Sequence, residues 1–525
     1  MTESTNGDDL LTAALRDFRD AVGAENVDTR PVELRAAETA TYPTSQRVPA
    51  IVRPANRAEV QECMRIANRH RVAVHPISTG KNWGYGSRVP ATTGSVLLDL
   101  GRMNRILAVD EELGTMTVEP GVTFAQAYEY LESRGSRFAI NATGGSSQTS
   151  LIGNALERGI GFGPAGDRAT HVSDLEVVLP SGQCIHTGFG RFDDAKAKGV
   201  HRFGLGPHLD GLFVQSNLGV VTKLTTWLVA KPRRLDFIVF TLTSDAQLPA
   251  VVEALRLIRM DDRQDVQIQR YVDEVIDRDA PPKRSVPDYA WRGFVAFYSN
   301  SNAEASARMN AARELLKRHV TRLVVVDLWF QRMAYVLHHV FGRHVPSVAG
   351  IPYPMLAGFR RLTYWSGVPN DYGIALVYQR TGAPIPEAMD LDRDRRGVIW
   401  FAPVVRFTGA EAIACFQIID TICTRHGFTA YVSFRSLHWR TMHVVASIMY
   451  DRDENGADDR AMRCYEETTA ALQDAGHYPY RLGVQSMLSM PKSSDDHDKL
   501  IETLKRALDP NDVLSPGRYD FRNTW

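Results

Sequence analysis

Cysteine is scarce in this chain. Five residues (Cys63, Cys184, Cys415, Cys423 and Cys464) are scattered through 525 positions with no CxxC and no CxxCH. Neither a zinc site, a disulfide framework nor an attached haem is indicated, and all five read as reduced core residues. Net charge is missing as well: Lys plus Arg and Asp plus Glu each number 61, so no overall field favours a nucleic-acid backbone or an anionic membrane. No uncharged apolar run reaches the about 18 residues that a membrane-spanning helix needs. The polar, acidic start MTESTNGDDLLTAALRDF has no basic region and no apolar stretch of the secretory kind. These absences predict a cytoplasmic, metal-free protein whose partner is a small molecule. Hydrophobic residues at 44% and charged residues at 23% are ordinary for a globular chain.

What is present is strand, helix and glycine-rich turn. Pro49 to Arg53 is a short apolar run, Asn56 with Glu59 makes a capping box, Val60, Cys63, Met64 and Ala67 share one helical face, and Val72 to Val74 opens the next strand. That is a βαβ unit. Ile106 to Val109 and Met116 to Val118 flank a turn at Gly114, Thr123 with Gln126 caps a helix, and Leu175 to Leu179 pairs with Cys184 to Thr187 across Pro180-Ser-Gly182. Beyond Lys231-Pro232 the composition changes. Phe237 to Leu242, a helix capped by Ser244 and Gln247, Phe294 to Tyr298, a helix from about Ala303 to His319, and Leu323 to Val326 follow in turn. Val398 to Phe407, a helix capped by Thr408 and Glu411, and strands near Ala430 to Phe434 and Val444 to Tyr450 repeat that order. This predicts an α+β protein with an antiparallel sheet covered on one side by helices. Residues 380–397 have no periodicity and read as an exposed loop.

Three glycine-rich segments carry the chemistry. Pro76-Ile-Ser-Thr-Gly-Lys-Asn-Trp-Gly-Tyr-Gly86 follows a strand, and its backbone N–H groups could converge on an anion. It is no Walker loop, since Asn82 follows Lys81. Gly144 to Asn154 is followed by Glu157-Arg158-Gly159, and the GxGxxG at Gly161 to Gly166 lacks the preceding strand of a dinucleotide fold. Gly206 to Thr222 leads into a strand. Each alone fits a plain turn as well as a ligand site.

Together, PxSTGKNxGYG, GNxxERGxGF, GPxxDGLFxQSNLGVVTK and the closing Leu508-Asp-Pro-Asn-Asp-Val-Leu-Ser-Pro-Gly517 resemble the vanillyl-alcohol oxidase and p-cresol methylhydroxylase family of flavoproteins, from about residue 45 to 520. The resemblance implies FAD, with Ser78, Thr79, Gly80, Lys81, Asn82, Gly84, Gly153, Asn154, Gly159, Gly219, Val220 and Val221 at cofactor-binding positions. It implies an FAD-binding domain over residues 1–233, a cap domain over 234–478 and a segment 479–525 that returns to the first. It further implies oxidation of the benzylic carbon of a 4-alkylphenol or 4-hydroxybenzyl alcohol by hydride transfer to the flavin through a quinone methide. Such chemistry needs a held phenolate. Tyr85, Tyr480 and Arg481 match the family's phenolate-binding residues, His443 matches an active-site histidine, and Arg440, three residues earlier, also matches the family pattern. Without the family, Tyr85 reads as core, Tyr480-Arg481 as a strand edge and His443 as structural. The flavin would pass electrons to dioxygen or an external carrier, and a homodimer is the family's habit.

The chain departs from the family at telling positions. Where members tether FAD through a histidine or a tyrosine, this sequence has Val398 and Val377, with Tyr378 one residue on. FAD is therefore expected to bind non-covalently, Tyr378 being the residual candidate for a link. The family's acidic positions fall at Gly145, Gly373 and Ser433, and a frequent tyrosine falls at Ala165. The fate of the quinone methide thus stays open. So do two other readings: a flavin enzyme of non-phenolic alcohols or 2-hydroxy acids on the same scaffold, and a non-catalytic binding protein.

Overall fold

The computed structural model describes residues 2–270, 290–327, 330, 347–348, 351–352, 358–489 and 496–520. Its N-terminal half holds two sheets. In the first, β1 (Val27–Asp28), β2 (Ile51–Val52), β4 (Val96–Asp99) and β3 (Val74–Ile77) stand in that order, with β2 and β3 both parallel to β4. Parallel neighbours need a crossover, and the helix Arg57–His70 supplies it. Asn56 accepts a hydrogen bond from the Glu59 N–H at its start, and Val60, Cys63, Met64, Ile66 and Ala67 are buried along it. The second sheet is antiparallel, in the order β5 (Ile106–Asp110), β6 (Thr115–Val118), β10 (Val220–Trp227), β8 (Val172–Val178) and β9 (Cys184–His186). Two short pairs, β7 (Phe138–Ala139) with β11 (Val229–Ala230) and β16 (Ser347–Val348) with β17 (Ile351–Pro352), stand apart from these sheets.

The other half is built on an eight-stranded antiparallel sheet. Its order is β15 (Arg322–Val326), β12 (Arg234–Leu242), β14 (Trp291–Ser299), β13 (Gln264–Arg270), β20 (Tyr431–His438), β21 (Thr441–Asp451) and β18 (Arg396–Phe401), with β19 (Val404–Arg406) also on β21. The expected single strand from Val398 to Phe407 is broken at Ala402-Pro403, because proline cannot continue the ladder and the chain resumes on the same partner after it. Val266, Ile268, Val432, Phe434, Val444, Ala446 and Ile448 pack against the helices Leu248–Arg259, Asn302–Leu316, Gly409–Arg425 and Ala457–Asp474. Residues one step out of phase point to the opposite face, and there the composition turns polar: Gln267, Tyr431, Ser433 and Arg435. That face is the wall of the cavity described below.

The chain's last described stretch rejoins the N-terminal half. Val513 and Leu514 enter the core beside Val52 and Val74. The buried Lys505 ammonium donates to the carbonyls of Asn217 at 3.0 Å and Leu514 at 2.8 Å and to Asp509 at 2.6 Å, which ties the closing Asp-Pro-Asn segment to the loop before β10. Residues 381–395 form a loop as expected, exposed at Gly382, Pro384, Glu387, Ala388, Arg393 and Arg395, but with Leu391 and Asp392 buried. Asp392 accepts from Ser87 Oγ at 2.8 Å and Trp83 Nε1 at 3.0 Å, and Asp390 holds Lys81 at 2.6 Å. The acids that made the segment look solvated find donors on the first glycine loop instead. Among the described residues, no helix is long and apolar enough to cross a membrane.

Candidate active site

A long cleft with about 2220 Å³ of atom-free space, its mouth included, runs between the glycine loops and the polar face of the eight-stranded sheet. Ser78, Thr79, Gly80, Lys81, Asn82, Gly153, Asn154, Gly159, Gly219, Val220 and Val221 line it, as do Tyr85, Tyr480 and Arg481. Segments far apart in sequence thus meet on one cavity.

Each loop is held by local bonding. Thr79 Oγ1 accepts from the Ser150 N–H at 3.1 Å, and Ser150 caps the short helix Leu151–Leu156 by accepting from the Gly153 N–H at 3.0 Å. A Cβ on Gly153 would stand 2.6 Å from Ser78 Oγ, so only glycine lets the two loops close up. Lys81 lines the cleft but spends its ammonium on Asp390, 2.6 Å away. Val220 and Val221 begin β10, and Gly219 before them gives room to Val177 and Phe213.

Tyr85, Tyr480 and Arg481 form one cluster. The Arg481 guanidinium carbon lies 3.9 Å from the centre of the Tyr85 ring, and its Nη2 donates to Asn82 Oδ1 at 2.7 Å. Tyr480 is held at its backbone, its N–H donating to Ala402 O at 3.0 Å and its carbonyl accepting from Gln215 Nε2 at 2.9 Å. Burial pushes the Tyr85 phenol well above its ordinary value, with the Tyr480 phenol beside it acting the same way and Arg481 opposing. Burial also raises Tyr480, while the Arg481 charge and a hydrogen bond from Tyr85 work downward. Both hydroxyls are therefore protonated donors across the neutral range, beside a permanent cation.

Several of the residues singled out in the sequence stand off the cleft. Gly84 has φ +80, and a Cβ there would fall 2.0 Å from the Trp400 indole. It faces the back of Trp400, which itself lines the cavity. His443 sits behind Tyr480, ring edge to ring face with centroids 4.7 Å apart. Burial pushes it down to about 4, with the charges of His438 and Arg435 adding to the effect, so it is neutral at pH 7. Arg440 lies over Trp439, 4.1 Å from the ring centre, away from the cavity.

Residues 48–188 match a family model described as an FAD binding domain. The chain is 38% identical over 98% of both lengths to "1'-carboxy-chondrochloren decarboxylase" of Chondromyces crocatus. It is 28% identical to "4-cresol dehydrogenase [hydroxylating] flavoprotein subunit" of Pseudomonas putida, over 96% of this chain and 94% of that one. A crystal structure of p-cresol methylhydroxylase with substrate bound superposes with a TM-score of 0.85, at 27% identity and 98% coverage of both chains. The chain belongs to the vanillyl-alcohol oxidase and p-cresol methylhydroxylase family. It is an FAD-linked oxidoreductase of the p-cresol methylhydroxylase type, with that family's α+β fold.

The cleft fits an FAD of this family. Asn154 Oδ1, Thr149 Oγ1 and Ser216 Oγ are buried on its lining with no protein partner, and the closely packed glycines keep backbone accessible along it. Tyr378 is not on the lining: its hydroxyl donates to Asp394 at 2.5 Å and accepts from the Asp390 N–H at 2.9 Å. Val377 and Val398 are on the lining instead. So are Gly145, Gly373 and Ser433, the family's acidic positions. At Gly373 the reason is steric, since a Cβ would come 2.4 Å from the Gly144 carbonyl. Glu157 is the one carboxylate on the described lining; it is hydrogen-bonded by Arg518 and lies 3.9 Å from Arg481.

Sequence reading missed much of the wall. Phe162, Gln267, Tyr364, Tyr372, Trp400, Tyr431 and Arg435 all line the cavity. For the strand residues the signal was legible: Tyr431-Val-Ser-Phe-Arg435 alternates apolar with polar or amphipathic side chains, and a period of two with one polar face marks a strand facing a functional space.

Proposed function

We propose that this protein oxidises the benzylic carbon of a 4-substituted phenol, a 4-alkylphenol or 4-hydroxybenzyl alcohol. The observation that carries this reading is the meeting of the Tyr85 and Tyr480 phenols with the Arg481 guanidinium on one cavity wall, Arg481 lying 3.9 Å from the Tyr85 ring. Two neutral donors and a fixed cation favour the ionised over the neutral form of a substrate phenol. An ionised phenol pushes electron density toward the para position, and hydride can then leave the benzylic carbon to give a p-quinone methide. Bound FAD supplies the hydride acceptor. Neutral His443 behind Tyr480 keeps that ring in position and puts no second positive charge on the clamp. Valines at both tether positions support non-covalent FAD. Dioxygen or an external carrier takes the electrons, and a homodimer is the assembly we propose.

The fate of the quinone methide has a second reading. The glycines and serine at the acidic positions remove carboxylates that could activate water, and the full-length likeness to a protein named as a decarboxylase points the same way. In a substrate with a carboxylate one carbon beyond the benzylic position, loss of hydride is followed by cleavage of the C–CO2 bond. Its electron pair forms the new C=C bond and returns the ring to the phenolate, and CO2 departs. The test is anaerobic mixing of the holoenzyme with 4-ethylphenol, 4-hydroxybenzyl alcohol, 3-(4-hydroxyphenyl)propanoate, an aliphatic alcohol and D-lactate, watching the flavin band and evolved CO2 and then admitting air. Bleaching by phenols alone supports the reading; bleaching by lactate alone overturns it. Tyr480→Phe is expected to slow phenol-driven bleaching by roughly ten- to thousand-fold, the effect of a lost oxyanion donor.

A further inference from the structure

Glu157 closes the short helix Leu151–Leu156 as its C-cap residue, its N–H donating to the Gly153 and Ala155 carbonyls, so the backbone beneath its side chain is held. One carboxylate oxygen, Oε1, accepts from Arg518 Nη2. The other, Oε2, is buried with no hydrogen-bond partner and lies 3.9 Å from Arg481 Nη2. Three distant segments thus bring two guanidinium groups to one carboxylate, and all three side chains line the cavity.

Arg481 does not depend on that carboxylate for its place. Its Nη2 donates to Asn82 Oδ1 at 2.7 Å, and its guanidinium carbon lies 3.9 Å from the centre of the Tyr85 ring, whereas the separation from Glu157 exceeds hydrogen-bond length. What reaches Arg481 from Glu157 is charge. Two permanent cations and one carboxylate leave a single net positive charge beside the Tyr85 and Tyr480 phenols. The other titratable groups on this side of the cavity do not alter that count. Burial above all pushes His443, behind Tyr480, down to about 4 and His75, on the lining, down to about 3, so both are neutral at pH 7. Arg435 of β20 is paired with Asp265 at 3.5 Å, and Lys81 with Asp390 at 2.6 Å.

We propose that Glu157 is the counter-charge of the phenolate clamp: it cancels one of the two guanidinium charges and so sets the pH at which a bound phenol ionises. This rests on the phenol-oxidising reading above. With the carboxylate in place, an ionised phenol brings the group to neutrality. Without it, two cations would face one phenolate, and a product that is itself a phenol would leave more slowly. A unit charge one guanidinium's width from the phenol oxygen is expected to move its ionisation by about one pH unit.

Phenol is titrated into the holoenzyme from about pH 5 to 9, below the ordinary ionisation of tyrosine. The midpoint at which the bound ligand gains the ultraviolet band of its ionised form is read for wild type, Glu157→Gln, Glu157→Asp and Arg518→Met, with flavin content as the check on folding. Glu157→Gln keeps the shape and removes the charge, so its midpoint should fall by about one pH unit. Glu157→Asp should stay near wild type, and Arg518→Met, which removes a positive charge, should rise. A midpoint in Glu157→Gln that is unchanged or raised overturns the assignment, a rise meaning that Glu157 serves to hold Arg481 in place. If that variant loses its flavin, Arg518→Met decides, and an unchanged or lowered midpoint there overturns the assignment equally. In either case ionised phenol on wild type leaves the phenol reading standing, whereas phenol that stays neutral on wild type at every pH overturns both.

Discussion

Gly84 illustrates how a residue can matter to a site without touching it. With φ +80 and a would-be Cβ 2.0 Å from Trp400, Gly84→Ala must either strain the turn or push out an indole that lines the cleft. A loss of about 1–3 kcal/mol is expected, read as a lower thermal midpoint together with reduced flavin content. The motif containing Gly84 was plain in the sequence, but its direction was not: a glycine at a left-handed position reads the same whether ligand or tryptophan occupies the space beside it. Lys81 raised the same difficulty. Its place in a glycine loop suggested an anion, and the structure turns it to Asp390, a partner more than 300 positions away that no local pattern announces. Tyr85 and Tyr480-Arg481 were legible only through their resemblance to family positions.

At the scale of single elements, caps and periods were the reliable signals. Asn56, Thr123, Ser244 and Thr408 each accept a hydrogen bond from the N–H of a first-turn residue of the helix that follows. Capping chemistry is confined to four consecutive residues and therefore survives in the sequence. Thr408→Ala should cost ~1 kcal/mol, measured by denaturant unfolding, and leave the cavity's occupants in place, because the helix Gly409–Arg425 lies on the far side of the sheet. The break between β18 and β19 was missed although Pro403 stands in it, since the apolar run continues through. Strand order and pairing were not readable: β13 lies between β14 and β20, and the neighbours of Arg435 on its row, Gln267 and His443, follow from register alone.

Across the whole molecule, the decisive contacts join distant segments. Asp392 is the clearest case, since its carboxyl reaches Ser87 and Trp83 on the first glycine loop. Burial above all pushes it up to about 7, helped by the charge of Asp390 and opposed by the hydrogen bond from Ser87. A carboxyl raised in the folded state binds its proton more tightly there than in the unfolded chain. Its contribution is therefore present at low pH and is lost as pH climbs from about 4 toward 7. The thermal midpoint of wild type should accordingly fall between pH 5 and 8, and Asp392→Asn should flatten that part of the profile. An unchanged slope in the variant would assign the dependence to other groups.

The account depends most on the claim that Tyr85, Tyr480 and Arg481 hold a negative phenol oxygen. Phenol itself has no benzylic carbon and cannot be turned over, so its titration into the holoenzyme at pH 7, read by ultraviolet difference spectroscopy, tests this directly. Free phenol is neutral at that pH, its pKa being about 10 as for tyrosine. The band of the ionised form should appear on binding to wild type and be lost in Tyr480→Phe. Phenol that binds and keeps the spectrum of its neutral form would contradict the account.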